Sequence, residues 1–196
     1  MTLNWYFLLA SAALLWWPTP LWVGPNFTRP DRDHQPRVID LLLAWQNWVD
    51  LARSGAGVYL LRELSITVTS EAPQLKTKVL IIQGSILIMG VLLQIFGVRK
   101  KGLFLLAPVF YLNGLTLFLG DYATGGFAIF AGWMFAVAGR NLRLQLPAMA
   151  VALPLGGFLL GGINPGSMLN FALVILPLLL SLLLQKSLSF VSLTRL

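Results

Sequence analysis

The sequence contains no cysteine and a single histidine, His34. Disulfide bonds, thiolate metal sites and thiol nucleophiles are therefore excluded, and imidazole chemistry has almost no material. Acids are nearly as scarce, with seven Asp and Glu in 196 residues. Charged residues of both signs make up 11% of the chain, against roughly 25% in soluble domains. So few charges cannot clothe a water-exposed surface of this size. An ordinary soluble globule, a disordered chain and a nucleic-acid-binding module are all excluded on that ground. There is no G-x-S-x-G, P-loop, H-E-x-x-H, carboxylate-rich metal motif or cofactor fingerprint. No metal and no cofactor are expected, and an enzyme would be poorly stocked.

What the chain has in abundance is apolar length. It is 57% hydrophobic, with a mean hydropathy of +0.78. Six runs approach the roughly 20 apolar residues that a membrane-crossing helix needs: 3–23, 79–98, 103–120, 124–139, 146–162 and 168–185. The fold class expected is all-α, a polytopic membrane helix bundle forming one domain over 1–196. The N-terminal run lacks Lys or Arg ahead of its apolar core, and Trp16, Trp17, Pro18 and Pro20 are unsuited to a signal-cleavage site. It is read as a retained first helix.

The net charge of +7 is explained by the loops between apolar runs. Arg99, Lys100, Lys101, Arg140, Arg143, Lys186 and Arg195 all fall on one side of the six-run pattern. The turns around Asp121 and Asn164 contain no base. By the excess of bases in cytoplasmic loops, 99–102, 140–145 and the C-terminus are placed in the cytoplasm, at a plasma membrane.

Residues 38–61 form the ambiguous segment. At 100° per residue, Asp40, Asn47, Asp50 and Ser54 share one stripe. Leu41, Trp45, Trp48, Ala52 and Tyr59 lie on the opposite side, an amphipathic pattern. One reading lays this helix in the interface with its tryptophans in lipid. The other makes it a seventh span of about 36 Å whose polar stripe faces the bundle. Seven spans move Arg29, Arg32 and Arg37 to the basic side and so obey the charge rule better. They also place Asp50 and Arg53 in the membrane, where each costs about 2.5–3.5 kcal/mol at the centre. Their spacing of three lets them pair, and Gly55, Ala56 and Gly57 suit close helix packing. The polar stretch 62–78 is read as a linker with a strand-like patch at 66–69.

Candidate functional residues follow from polarity in apolar surroundings. Asp50 and Arg53, if buried, are candidates for an ion or proton path or for holding a polar headgroup; a solvated face or a structural pair is the plainer role. Asp121 either binds a cation or caps the helix starting near Thr124. Gln83 and Asn113 could line a polar path, while Gln83, Gln94, Asn113, Asn170 and Gln185 also suit interhelical hydrogen bonding. Asp31, Asp33 and His34 match no metal-ligand spacing and are opposed by Arg29, Arg32 and Arg37. The sequon at 26–28 would matter only in a secretory lumen.

Small residues recur every four positions at Ala128, Gly132 and Ala136, and at Gly157 and Gly161, marking close helix contacts. Pro108, Pro154 and Pro177 predict kinks. The leading functional expectation is a non-enzymatic membrane subunit or scaffold, associating with other chains or with itself through those small-residue faces and the cytoplasmic basic loops. Its partners would be membrane lipids and proteins, with no nucleic acid. The alternative is a small-solute or ion-coupled permease using Asp50, Arg53, Gln83, Asn113 and Asp121. A third reading is an interfacial lipid-modifying enzyme built on Asp31–His34.

Overall fold

The apolar runs form helices, and their polar interruptions become helix ends. The computed structural model describes residues 2–18, 38–67, 73–96, 105–161, 164–185 and 188–190. Within these the chain is helical apart from short turns and two minimal β-ladders. The elements are β1 (Thr2–Leu3), α1 (Trp5–Trp16), α2 (Val38–Leu43), α3 (Trp45–Tyr59), β2 (Ile66–Thr67) and α4 (Pro73–Phe96). They continue with β3 (Leu105–Ala107), α5 (Val109–Leu119), α6 (Tyr122–Ala138), α7 (Gln145–Gly156), α8 (Pro165–Leu183) and β4 (Leu188–Phe190). Wide π turns extend α3 through Leu60–Leu64 and α7 through Gly157–Gly161.

Among the described residues, three stretches are long and apolar enough to cross a membrane: Gln74–Phe96, Leu142–Leu160 and Pro165–Leu183. The helices Trp5–Trp16, Val109–Leu119 and Tyr122–Ala138 are apolar but shorter. Six full-length spans are therefore not confirmed among the described residues. Within the described part of the run 3–23, α1 ends at Trp16, because Trp17 turns extended ahead of Pro18 and proline disfavours helix in the residue before it. The run 103–120 is helical only from Val109. Pro108 is the N-cap of α5 instead of a kink within it, and β3 precedes it. Pro154 and Pro177 do lie inside helices, and the π turn follows three residues after Pro154.

Helix α5 is the centre of the bundle. Every residue from Val109 to Thr116 is buried, as expected of a helix surrounded on all sides. It packs against α3, α6 and α8, while α1 joins α3 to α4 and α7 joins α6 to α8. Helices α1 and α3 are antiparallel. Asn4 N–H donates to the Ser65 carbonyl at 2.8 Å, and the Ser11 hydroxyl donates to the Gly57 carbonyl at 2.8 Å. The N-terminus is tied to the same end by the pairing of Thr2 with Thr67 and Leu3 with Ile66. Helices α3 and α5 run parallel, from the Trp48–Phe110 edge contact at 6.2 Å to Arg62 beside Gly120.

The segment 38–61 is not one straight helix. It breaks at Ala44, whose backbone is extended. Two carbonyls freed by the break are recovered by side chains of the next turn. Asn47 Nδ2 donates to Leu41 O and Trp48 Nε1 to Leu42 O, each at 2.7 Å. Beyond the break the amphipathic reading holds. Asn47, Asp50, Arg53 and Ser54 are buried, while Trp45, Trp48 and Tyr59 are exposed. Leu41 is also buried, because the break removes α2 from the helical phase of α3. Of the stretch 62–78, the described residues are structured: the π turn reaches Leu64, Ile66–Thr67 is extended, and α4 begins at Pro73.

The ridge Ala128, Gly132 and Ala136 is buried in the α6–α7 contact. A Cβ on Gly132 would meet Met149 Cγ at 2.5 Å and the Gln145 carbonyl at 3.0 Å. The predicted pair Gly157 and Gly161 brackets the π turn, so it forms no α-helical ridge. The close approach of α7 to α6 is made by Gly156, where a Cβ would meet Phe127 Cδ1 at 2.9 Å.

Candidate functional site

The first polar site is built on the end of α1. This helix has 12 residues, or about 18 Å, and its last carbonyls have no intrahelical donor. In apolar surroundings such groups must be satisfied by protein. Three neighbouring helices supply the donors. From α3, Arg53 Nη1 donates to Leu14 O at 2.9 Å and to Trp17 O. From α4, Gln94 Nε2 donates to Trp17 O at 2.9 Å and, more weakly, to Leu15 O at 3.4 Å. From α5, the Tyr111 hydroxyl donates to Leu15 O at 3.0 Å.

The same guanidinium holds Asp50. Arg53 Nη2 lies 2.9 Å from Asp50 Oδ1, and the two side chains are 4% and 11% exposed. Its Cζ also sits 5.4 Å from the Tyr111 ring centroid, within cation–π reach. The predicted pairing of Asp50 with Arg53 is therefore present and buried. The arginine is at the same time a cap on another helix, at the end where a cation suits the helix dipole.

A second arginine repeats the device nine residues later. Arg62 Nη1 donates to Leu119 O at 2.8 Å and Phe118 O at 3.0 Å, with Gly120 O at 3.4 Å. It thus closes the C-terminal end of α5, which has only 11 residues.

The intervening amides are used between helices. Gln83 Nε2 donates to Leu61 O at 3.2 Å, a carbonyl of the π turn. Gln145 Nε2 donates to Asn113 Oδ1 at 3.0 Å. Thr116 Oγ1 donates to Asn170 Oδ1, and Asn170 Nδ2 to Thr116 O, both at 3.1 Å. Gln185 is exposed just beyond α8. Gln145, placed by sequence in a polar loop, is the fully buried first residue of α7.

The second polar site is a cavity of about 310 Å³ at the end of the bundle occupied by Arg62. It is lined by Arg62, Gln83, Asp121 and Asn164, with Leu80 and Leu169 among its apolar walls. The turn after α5 and the N-terminus of α8 meet here. Asp121 caps α6, accepting from Thr124 N–H at 3.0 Å and from the Thr124 hydroxyl at 3.3 Å. Asn164 caps α8 in a reciprocal box. Its Oδ1 accepts from Ser167 N–H at 2.8 Å, and Ser167 Oγ accepts from Asn164 N–H at 3.0 Å. Gly166 permits the fit, since a Cβ there would meet Leu119 O at 2.8 Å.

No family model, curated protein or solved structure matches this chain.

Of the predicted path residues, the structure brings Gln83 and Asp121 to the cavity. It leaves Asp50 and Arg53 in the separate cluster and Asn113 in its amide pair. Along α3, α4 and α5 the stretch between the two sites carries Val58, Leu61, Leu87, Val91, Leu112 and Leu115, all fully buried. The five do not line one continuous path. Residues that sequence reasoning passed over are Arg62, Tyr111 and Gln145, together with the capping role of Asn164. The last had a readable signal in the spacing of Asn164 and Ser167. Asp31, Asp33, His34, the sequon at 26–28 and the bases at 99–101, 186 and 195 lie outside the described residues.

Proposed function

We propose that the chain is a multi-pass plasma-membrane protein that captures a small polar solute at one end of its helix bundle, the recognition step of a permease. The observation that carries this reading is the cavity where Arg62, Gln83, Asp121 and Asn164 converge. Its size falls at the lower end of the roughly 300–1,000 Å³ range of small-molecule pockets.

Membrane residence is supported by the three long apolar helices and by the exterior. Tyr6, Phe130, Phe135, Phe158 and Leu183 are all more than 60% exposed, an outer surface at odds with life in water. The seven-crossing arrangement puts 99–102, 140–145 and the C-terminus in the cytoplasm and the cavity on the outer side. The antiparallel α1–α3 pair and the parallel α3–α5 pair support it. A subunit or scaffold reading keeps the shortage of catalytic groups as its support but draws less from the small-residue ridge, since Ala128, Gly132 and Ala136 are buried within the chain and Gly132 packs on Met149 of α7. An interfacial enzyme would rest on residues outside the description.

The test is a thermal-shift panel on purified protein, with small carboxylates, amines, amino acids, sugars and nucleosides as separate classes. Ligand at 100 times its Kd stabilises by about 2.7 kcal/mol, on the order of 5–10 °C in Tm for a chain of this length. At least one polar class is expected to produce such a shift. The shift should be lost in Leu80→Trp, which fills the cavity from its wall. If no class shifts the wild type, or if Leu80→Trp responds equally, solute capture at this cavity is refuted.

A further inference from the structure

Among the described residues, each polar side chain around the cavity spends one edge on the fold and has no further hydrogen bond on another. Arg62 caps α5 with Nη1 alone, and no hydrogen bond from Nη2 is found among the described residues. Its Nε lies 3.9 Å from Glu63 Oε1, with Glu63 half exposed. That is a loose surface contact, worth little at such exposure. Asn164 uses its side-chain oxygen on Ser167, leaving the Nδ2 amide as a donor. On the accepting side, Gln83 gives its Nε2 to Leu61 and keeps Oε1. Asp121 gives Oδ2 to Thr124 and keeps Oδ1.

The inventory is therefore two donors, one of them a cation, and two acceptors, one of them an anion. Polar groups in a partly enclosed site that lack partners favour the ligand that satisfies all of them. A carboxylate or phosphate alone would answer Arg62 and Asn164 but bring like charge to Asp121. An amine alone would answer Asp121 and Gln83 but bring like charge to Arg62.

We propose that the cavity selects a small zwitterion. Its anionic group sits on Arg62 Nη2 and Asn164 Nδ2, and its ammonium group on Asp121 Oδ1 and Gln83 Oε1. This rests on the reading of the cavity as a solute site and adds the charge pattern of the solute. Such a zwitterion has two sources, a free amino acid or the headgroup of an ethanolamine phospholipid.

The experiment uses the full chain in nanodiscs of phosphatidylglycerol, which supply no zwitterionic headgroup. The probes are alanine, propionate, ethylamine and glycerophosphoethanolamine, read by Tm shift and by calorimetric titration. Asp121→Asn is the informative variant, because asparagine caps a helix as well as aspartate does but carries no charge. Its unliganded Tm shows whether the fold is kept. Alanine is expected to bind, with propionate and ethylamine each weaker by about tenfold or more. The Asp121→Asn variant should lose a similar factor for alanine and none for propionate. Binding of glycerophosphoethanolamine without alanine also supports the zwitterion and assigns the headgroup source. If propionate binds as tightly as alanine and Asp121→Asn changes neither, the zwitterion is overturned while solute capture stands. If all four probes fail and another class in the wider panel binds, the zwitterion is again overturned. If nothing in any class binds, both readings fall.

Discussion

Replacing Arg53 with alanine is expected to produce the largest loss of stability of any single substitution in the polar interior. The change withdraws the guanidinium from the Leu14 and Trp17 carbonyls and from the Asp50 carboxylate in one step. Breaking a buried charge pair by removing one partner costs about 3–5 kcal/mol, on the order of 10 °C in Tm for a chain of this length. Arg53→Lys should recover only part of the loss. A point charge cannot place one nitrogen on α1 and another on Asp50 as the planar fork does. Replacing Asp50 and Arg53 together by leucine should be milder than Arg53→Ala alone, because no buried carboxylate then remains. Thermal melts of the purified variants in one detergent measure all three. An Arg53→Ala protein that melts within about 2 °C of wild type, an effect of at most roughly 1 kcal/mol, would remove this residue from the account of how α1 is held.

Gly114 is the second sensitive position. It lies where α5 crosses α3, and a Cβ there would overlap Ser54 Oγ and the Leu51 carbonyl oxygen. One of these is backbone, so rotamer changes cannot relieve the clash and the two helices must separate. Gly114→Ala is expected to cost at least the 1–3 kcal/mol typical of overpacking, and Gly114→Leu to prevent stable folding. Gly126 gives the control, since a Cβ there meets nothing within 4 Å. Gly126→Ala should be neutral or stabilising by roughly 0.5–1 kcal/mol, the helix-propensity difference. Melting temperatures of the two alanine variants make the comparison. Equal effects at both sites would contradict the α3–α5 packing.

The sequence made the helical class legible through its long apolar runs, and the inward polar stripe of α3 through its 100° periodicity. The Asp50–Arg53 pair was legible because a spacing of three on one helix is local geometry. Asp121 as a cap was legible for the same reason. What was not legible depended on distant parts of the chain. That Arg53 closes α1, and Arg62 closes α5, requires knowing which helix ends stop beside which side chains. Run length alone overestimated α1 and α5, because hydropathy continues past Trp16 and begins before Val109 while the helical backbone does not. The small-residue ridge on α6 was legible from its four-residue spacing, and its three residues are buried. Its partner, α7 of the same chain, is information about tertiary neighbours that periodicity does not hold. The cavity joins residues from four separate stretches, and only Gln83 and Asp121 among its polar residues stood out as candidate functional residues in sequence.

The proposal most open to a direct test is that 38–64 crosses the membrane, which the antiparallel α1–α3 and parallel α3–α5 packing supports. The absence of native cysteine makes a direct measurement clean. Single cysteines are placed at Thr28 and at Ser70, and intact cells are treated with an impermeant thiol reagent. The account predicts labelling of Ser70 from outside and protection of Thr28 until the cells are opened. Labelling of both positions from outside would place 38–64 on one face of the membrane and contradict it.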